Sequence, residues 1–430
     1  MLLDGKQITS QSAMKAFGLK KETLKKLGIF NYVSESKFKD IKQIFESDTG
    51  MVIGQCMKDC TMNINSDMPL NLKSGEGYVM PLNHFIQGHK AKDKTNVIFK
   101  PYRKTFRELF NRYRGQDLSN KKILISRTGG LGDLVVSQSV LKGIKEKYPS
   151  CKITYATTPV FIDLFRTFPN GLIDGVASIP YNQKLLRDHD YHMLFIHAIE
   201  NCISTQKQNY YDIYKEVSCL DYDVKKNIST LIPVESIVNK LKFENIVKKN
   251  TILLHMASTT PLRSTTNEVW VQVINLLLNK GFEVGIIDTK SKAKEIDAFI
   301  HGIQVDMTKL HNFAKYSDSI SIGVSIASMC TGAIVIDSTF AHIAGALKIP
   351  TVALCGPYPA YNVVGAYETV VGAERDPEWN QCGKAPCFLN SQHHLCPFLL
   401  SNQRPGCLTS ISAEKIVTLL EGQLDKFKKD

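Results

Sequence analysis

Apolar positions along this chain fall into two kinds of pattern that take turns. From residue 121 onward, short continuous apolar runs at 123–126, 152–156 and 193–196 are separated by a stretch over 137–147 whose apolar residues recur at helical spacing. A polar, lysine-containing segment at 240–250 interrupts the rhythm, and then it restarts. Runs at 251–256, 283–288, 333–336 and 351–355 predict strands, and the spacing over 268–280 and 341–347 predicts helices. Strands alternating with helices argue for parallel sheets with helices on their faces. Two such blocks predict an α/β protein of two Rossmann-like domains facing a cleft. Residues 1–117 show no such alternation and read as a separate N-terminal extension, which sets expected domains at 1–117, 118–245 and 246–430.

The strand at 123–126 runs into the turn RTGGLGD, where Gly129, Gly130 and Gly132 precede Asp133 at the start of a helix. Glycines let the backbone turn tightly and let a ligand come close. The spacing is neither the dinucleotide G-x-G-x-x-G pattern nor a P-loop, because no Lys-Ser/Thr follows the last glycine. Asp133 has two readings, a first-turn acid favoured by the helix dipole or a general base. A second loop, HMASTTPLRSTTNEVW from residue 255 to 270, sets Ser258, Thr259, Thr260 and Ser264 around Arg263. Hydroxyls and a planar cation in a strand-to-helix loop suit diphosphate oxygens; the alternative is a solvated turn. A third segment, VIDSTFAHIAGALKIPTVALCGP from residue 335, places Asp337, Ser338 and His342 between a strand and a helix of small residues.

In this order the three segments resemble glycosyltransferase family 9, the ADP-heptose:lipopolysaccharide heptosyltransferases of GT-B fold. The resemblance spans about residues 121–425. It implies that Gly130-Leu131-Gly132-Asp133 forms the family's acceptor-side turn, with Asp133 deprotonating the acceptor hydroxyl. It further implies that Ser258, Thr259 and Arg263 contact the donor diphosphate, and that Asp337, Ser338 and His342 lie near the donor sugar and phosphates. Arg263 stands where the family usually has lysine, and Thr339 where it prefers glycine. Glu295, after the strand at 283–288, is a candidate partner of the donor ribose. The implied reaction is inverting transfer from a nucleotide sugar, an ADP-sugar favoured, to a hydroxyl of a glycan or lipopolysaccharide core. No cofactor is implied for catalysis.

Composition adds three things. The chain carries 53 Lys/Arg against 41 Asp/Glu, a net +12. The first 120 residues hold 20 basic against 12 acidic side chains, so +8 of that excess is concentrated there. Such asymmetry suits an anionic partner or a merely solvated lysine-rich surface. Within it, residues 12–29 (SAMKAFGLKKETLKKLGI) resemble a helix-turn-helix or excisionase-type unit, with a capping helical hairpin as the alternative. This keeps a hydroxymethylated base in DNA open as an acceptor, and a non-catalytic nucleotide-sugar or nucleic-acid binder as a further reading. No apolar run approaches the length of a membrane span and the N-terminus lacks a signal-peptide pattern, so the expected location is cytoplasmic, with peripheral membrane contact left open. Finally, Cys382, Cys387, Cys396 and Cys407 cluster with four, eight and ten residues between them. Four thiols in a loop-like segment read as a structural zinc or iron site, with unligated thiols and then disulfides as the alternatives.

Overall fold

The computed structural model describes residues 2–3, 6–7, 51–57, 59–63, 69–81, 99–101, 109–196, 198–199, 202, 207–376, 378–379, 381–389, 393–401 and 403–427. The helix-turn-helix expected at 12–29 lies outside these residues. What is described of the extension is antiparallel. Strands β1 (Met51–Cys56), β2 (Gly77–Pro81) and β3 (Phe99–Pro101) form one sheet with β1 at its centre, flanked by β2 and β3.

The first α/β unit follows. Strand β4 (Lys122–Arg127) leads into helix α1 (Leu131–Lys147), then β5 (Lys152–Thr157) and β6 (Gly175–Ser178). The chain next contributes β7 (Tyr181–Asn182) to the extension's sheet beside β2, and returns as β8 (Tyr191–Leu194). The parallel sheet has the order β6-β5-β4-β8. Helices α2 (Tyr210–Ser218) and α3 (Glu235–Phe243) complete the unit. Because β7 crosses into the extension's sheet, the two share a small core of Met51, Ile53, Val79, Leu124, Ala156, Ile179 and Tyr181.

The second unit comprises β9 (Thr251–His255), α4 (Asn267–Asn279), β10 (Glu283–Ile286), α5 (Ala293–His301), β11 (Leu310–Asn312), α6 (Ile320–Ser328), β12 (Gly332–Ile336), α7 (Thr339–Ala346), β13 (Thr351–Cys355), β14 (Val370–Glu374) and α8 (Ala413–Lys426). Its parallel sheet has the order β11-β10-β9-β12-β13-β14, the 3-2-1-4-5-6 winding of a Rossmann fold. Every residue of β9, β12 and β13 is buried, as expected for parallel strands covered on both faces.

The expected strands and helices appear in place, with shifted ends and additions. Helix α1 begins at Leu131, in line with Asp133 at a helix start and ahead of the stretch at 137–147 that spacing alone marks. Its first turns are buried on all sides, packed between its sheet, α2 and α7, so they carry no amphipathic stripe that spacing could reveal. For the same reason α6, whose middle is wholly buried, escaped the periodicity. The strands at 310–312 and 370–374 are short edge elements with mixed burial. No helix among the described residues is long and apolar enough to cross a membrane.

One apolar cluster runs through both α/β units, joining Val135, Val136 and Tyr211 to Ala341, Ile343 and Tyr367. Polar links reinforce it. The Leu231 N–H donates to the Ala346 carbonyl at 3.1 Å, and the Ser321 N–H donates to Asp163 Oδ2 at 2.7 Å.

His192 in β8 ties residues 109–113 to the edge of the first sheet. Its Nδ1 accepts the Asn111 N–H at 2.8 Å, so Nε2 carries the proton and donates to the Leu186 carbonyl at 2.9 Å. Burial lowers its pKa to about 4, and burial does the same to His255. Each imidazole binds its second proton in the unfolded chain below the ordinary value and in the folded chain only below about 4. Stability is therefore full above pH ~6.5 and falls as the pH drops toward 4, by about 1.4 kcal/mol per pH unit for each histidine. Urea midpoints measured between pH 7.5 and 4.5 should show this slope, and His192→Asn should remove one histidine's share of it.

Candidate active site

The order of each sheet fixes where a ligand belongs. In open parallel sheets the crevice lies outside the carboxyl ends of the strands, where the winding reverses. In the first unit that point is between β4 and β8, and in the second between β9 and β12.

At the first switch point, β4 ends on Arg127, a residue the motif reading passed over. It is 2% exposed, and its guanidinium donates to the Phe195 carbonyl just past β8 and to Asp133 Oδ2 at 2.6 Å. Asp133 lies in the first turn of α1 but does not cap it. Gly130 is the N-cap, in the left-handed region at φ 64°. A Cβ on Gly130 would stand 1.8 Å from Asp133 Oδ2, so glycine is required there by both conformation and space. Asp133 Oδ1 makes no hydrogen bond among the described residues.

At the second switch point, β9 ends on His255 and β12 runs into Asp337. Ser338 Oγ and His255 Nδ1 are 2.9 Å apart, which stitches the two strand ends together. Asp337 is 2% exposed; its Oδ1 lies 3.5 Å from an Arg263 terminal nitrogen, and its Oδ2 is buried without a partner among the described residues. Arg263 Nε is likewise buried without one among those residues. A carboxylate and a guanidinium with unmet hydrogen-bonding capacity at a strand end are suited to receive a polar ligand.

The loop between β9 and α4 divides its hydroxyls. Thr260 is spent on local structure, its Oγ1 accepting the Leu262 N–H, and Ser258 Oγ accepts the Thr260 N–H at 3.3 Å. Thr259 is exposed. Glu295, also exposed, pairs with Lys292 at 2.6 Å, and none of its contacts reaches the charged cluster.

The two switch points meet through α1 and α7. A Cβ on Gly132 would stand 2.7 Å from His342 Cδ2 and 3.5 Å from the Thr339 Cα, so the start of α1 presses directly on the start of α7. Burial lowers the His342 pKa; Asp337 and Asp133 act against that shift and Arg263 adds to it. The same three charges act on Tyr210, whose hydroxyl is pushed well up, chiefly by burial. Asp133, Arg263, Asp337, His342 and Tyr210 thus form one neighbourhood. Tyr210 opens α2 and stacks on His342, with ring centroids 6.1 Å apart. Its position after a polar stretch gave no sequence signal. That of Arg127 did: a cation ending a strand just before a glycine turn.

Cys382, Cys387, Cys396 and Cys407 line a single apolar cavity with Leu262, Trp379, Phe398 and Pro405. All four are free thiols, and among the described residues no group of three His, Cys, Asp or Glu side chains is placed to hold a metal ion. Burial and the neighbouring thiols push Cys407 up to about 12. The donor set suits a thiolate-bound metal in chemistry, and the four thiols lie close enough to influence one another's ionisation without being disposed as a ligand set.

No family profile and no curated protein sequence matches the chain. Solved structures do. A glycosyl transferase family 9 protein from Veillonella parvula aligns over 73% of this chain and 99% of its own, at 13% identity and TM-score 0.57. E. coli ADP-heptose lipopolysaccharide heptosyltransferase II aligns over 72% and 100%, at 12% identity and TM-score 0.56. The iron-containing dodecameric glycosyltransferase TibC from enterotoxigenic E. coli aligns over 89% of this chain and 93% of its own, at 13% identity and TM-score 0.52. The fold is therefore the GT-B arrangement of family 9 heptosyltransferase structures, two Rossmann-like units as the sequence led us to expect. The larger share aligned with TibC takes in part of the first 117 residues as well.

The Arg127–Asp133 pair is a charge pair with one fully buried member, and removing one partner strands the other. Arg127→Leu should cost on the order of 3 kcal/mol, whereas Arg127→Leu combined with Asp133→Leu should recover most of it. Chemical denaturation of the three variants checks this.

Proposed function

We propose that this protein is an inverting glycosyltransferase that moves a glycosyl group from a nucleotide sugar to a hydroxyl acceptor, with an ADP-sugar and a glycan as the favoured pair. The observation that carries the reading is the convergence of Asp133 and Arg263 from different α/β units on His342, within a GT-B fold. In the proposed reaction the acceptor oxygen attacks the anomeric carbon from the face opposite the leaving group. The bond from that carbon to the diphosphate breaks, and its electron pair leaves with the nucleoside diphosphate. Asp133 takes the acceptor proton on Oδ1, while Arg127 holds Oδ2 and fixes the carboxylate's orientation. Arg263 stabilises the charge that develops on the diphosphate. Ser258 and Thr259 lie in the same loop and offer further hydroxyls to it. Packing between the units excludes water that would otherwise hydrolyse the donor.

In this reading residues 118–245 form the acceptor side and 246–430 the donor side. Residues 1–117 select the acceptor, resting on the first unit through the shared sheet. The exposed Arg112 and Arg114 beside that junction suit an anionic acceptor.

Asp133→Asn should lower turnover by about 10²–10⁴-fold while leaving donor affinity within about twofold. Arg263→Ala should instead weaken binding of nucleotide sugars. A thermal-shift panel of nucleotide sugars, followed by product assays on the two variants, tests both. Full activity in Asp133→Asn, or donor affinity unchanged in Arg263→Ala, would remove that residue from its role.

We also propose that the four cysteines hold a structural zinc or iron, supported by their shared cavity; bound there, the metal would brace the loop beside β14. Metal analysis of the purified chain should then find about one ion per chain, lost together with thermal stability in Cys387→Ser. A metal-free, equally stable wild type would leave the four as packed thiols.

A further inference from the structure

A chain of hydrogen bonds reaches His342 from the opposite α/β unit. The Ser229 N–H donates to the Tyr211 hydroxyl oxygen at 3.3 Å. Tyr211, in α2, donates its own proton to the Tyr367 oxygen at 2.8 Å. Tyr367, ahead of β14, lies 3.3 Å from His342 Nδ1. All three side chains are buried, at 1% exposure for Tyr211 and 4% each for Tyr367 and His342. The tyrosine rings meet edge to face, 5.5 Å apart at 82°. Tyr367 can approach α7 this closely because Gly345 is there, where a Cβ would stand 2.4 Å from the tyrosine ring.

Counting protons along this chain fixes the end of it. A hydroxyl has one proton to give. Tyr211 cannot receive the proton of Tyr367, because its own proton already occupies the bond between them. The Tyr367 oxygen has a second lone pair and could also take an Nδ1–H, but its own proton would then be buried with nothing among the described residues to receive it. The arrangement that satisfies every proton gives the Tyr367 proton to a bare His342 Nδ1. Burial keeps the ring neutral, so its single proton sits on Nε2. That nitrogen faces the junction of α1 and α7, beside Gly132, and makes no hydrogen bond among the described residues.

We propose that Tyr367 is a positioning residue that holds His342 as the Nε2–H tautomer, and that His342 serves as a hydrogen-bond donor to an oxygen of the nucleotide sugar rather than as a base. The second clause rests on the glycosyl-transfer reading; the first does not. Asp133 and Asp337 supply acceptors, and an N–H on His342 would add to the donors of Arg263 from a different direction. Tyr210, stacked on the imidazole, limits the directions from which an oxygen can approach it.

The test uses the full chain labelled with ¹⁵N-histidine, with the His342 signals assigned by their absence in His342→Gln. Long-range ¹H–¹⁵N spectra without substrate should show the Nε2–H pattern in the wild type. Tyr367→Phe keeps the ring against Gly345 and removes only the hydroxyl; it should move His342 to a mixture of tautomers and lower kcat about tenfold, the loss expected for one hydrogen bond near the reacting groups. Tyr211→Phe, one link further away, should shift both readouts in the same direction by less. An Nδ1–H pattern in the wild type, or an unchanged pattern in Tyr367→Phe, overturns the relay. If the contact is to the diphosphate, His342→Leu, whose side chain has no N–H to give, weakens binding of the nucleoside diphosphate and the nucleotide sugar alike; if to the sugar, only the latter. Unchanged affinity for both overturns the donor role. An Nε2–H imidazole in a chain that transfers no sugar upholds the relay and refutes the reaction instead.

Discussion

Everything at the centre of this molecule depends on how closely α1 and α7 approach. Gly132 is the contact point, and the absence of a side chain there lets His342 stand against the backbone of the opposing helix. Each helix begins at the carboxyl end of a strand beside its own sheet's switch point. Their contact therefore places two crevices, which would otherwise lie in separate halves, in one neighbourhood. Asp133 comes from one half and Arg263 and Asp337 from the other. The apolar cluster that spans both units holds the contact, as do the cross-unit bonds of Asp163 with Ser321 and of Leu231 with Ala346.

That contact also explains the paired charges. A carboxylate at a crowded, half-dry junction must be held or it will turn toward the nearest donor. Arg127 holds Asp133 by one oxygen and is itself anchored on the Phe195 carbonyl, so the carboxylate direction is set by the sheet rather than by the loop. The 3.5 Å between Arg263 and Asp337 is looser, and both retain unused hydrogen-bonding atoms. The tight pair suits a group that must point one way. The loose pair suits one that must rearrange around a ligand.

Much of this was legible in the sequence, and the reasons for the rest are physical. Buried parallel strands announce themselves as continuous apolar runs, so 123–126, 251–256, 333–336 and 351–355 all fell on strands. A glycine turn ending in an acid, and a strand ending in Asp-Ser, mark strand-to-helix corners, which is where Asp133, Asp337, Ser338 and His342 lie. Periodicity failed where a helix is buried all round, at the start of α1 and in α6, because no polar face remains to give a period. It could not show that β7 leaves its own unit to complete the extension's sheet, since two residues carry no pattern. Nothing in the sequence sets Tyr210, Tyr211 and Tyr367 apart from the other aromatics; their arrangement around His342 does.

The tyrosines bear on why this junction is built from both halves at all. A histidine oriented from within its own unit would keep its tautomer whether or not the halves were packed together. Here the proton count at His342 depends on Tyr211, which belongs to the other unit and is itself aligned by the Ser229 N–H. Separating the units would break the Tyr211–Tyr367 bond, free Tyr367 to reverse its hydroxyl, and let the imidazole proton redistribute. The same separation would part Asp133 from Arg263. Packing of α1 against α7 thus sets both how near Asp133 and Arg263 come and the protonation pattern of the histidine between them.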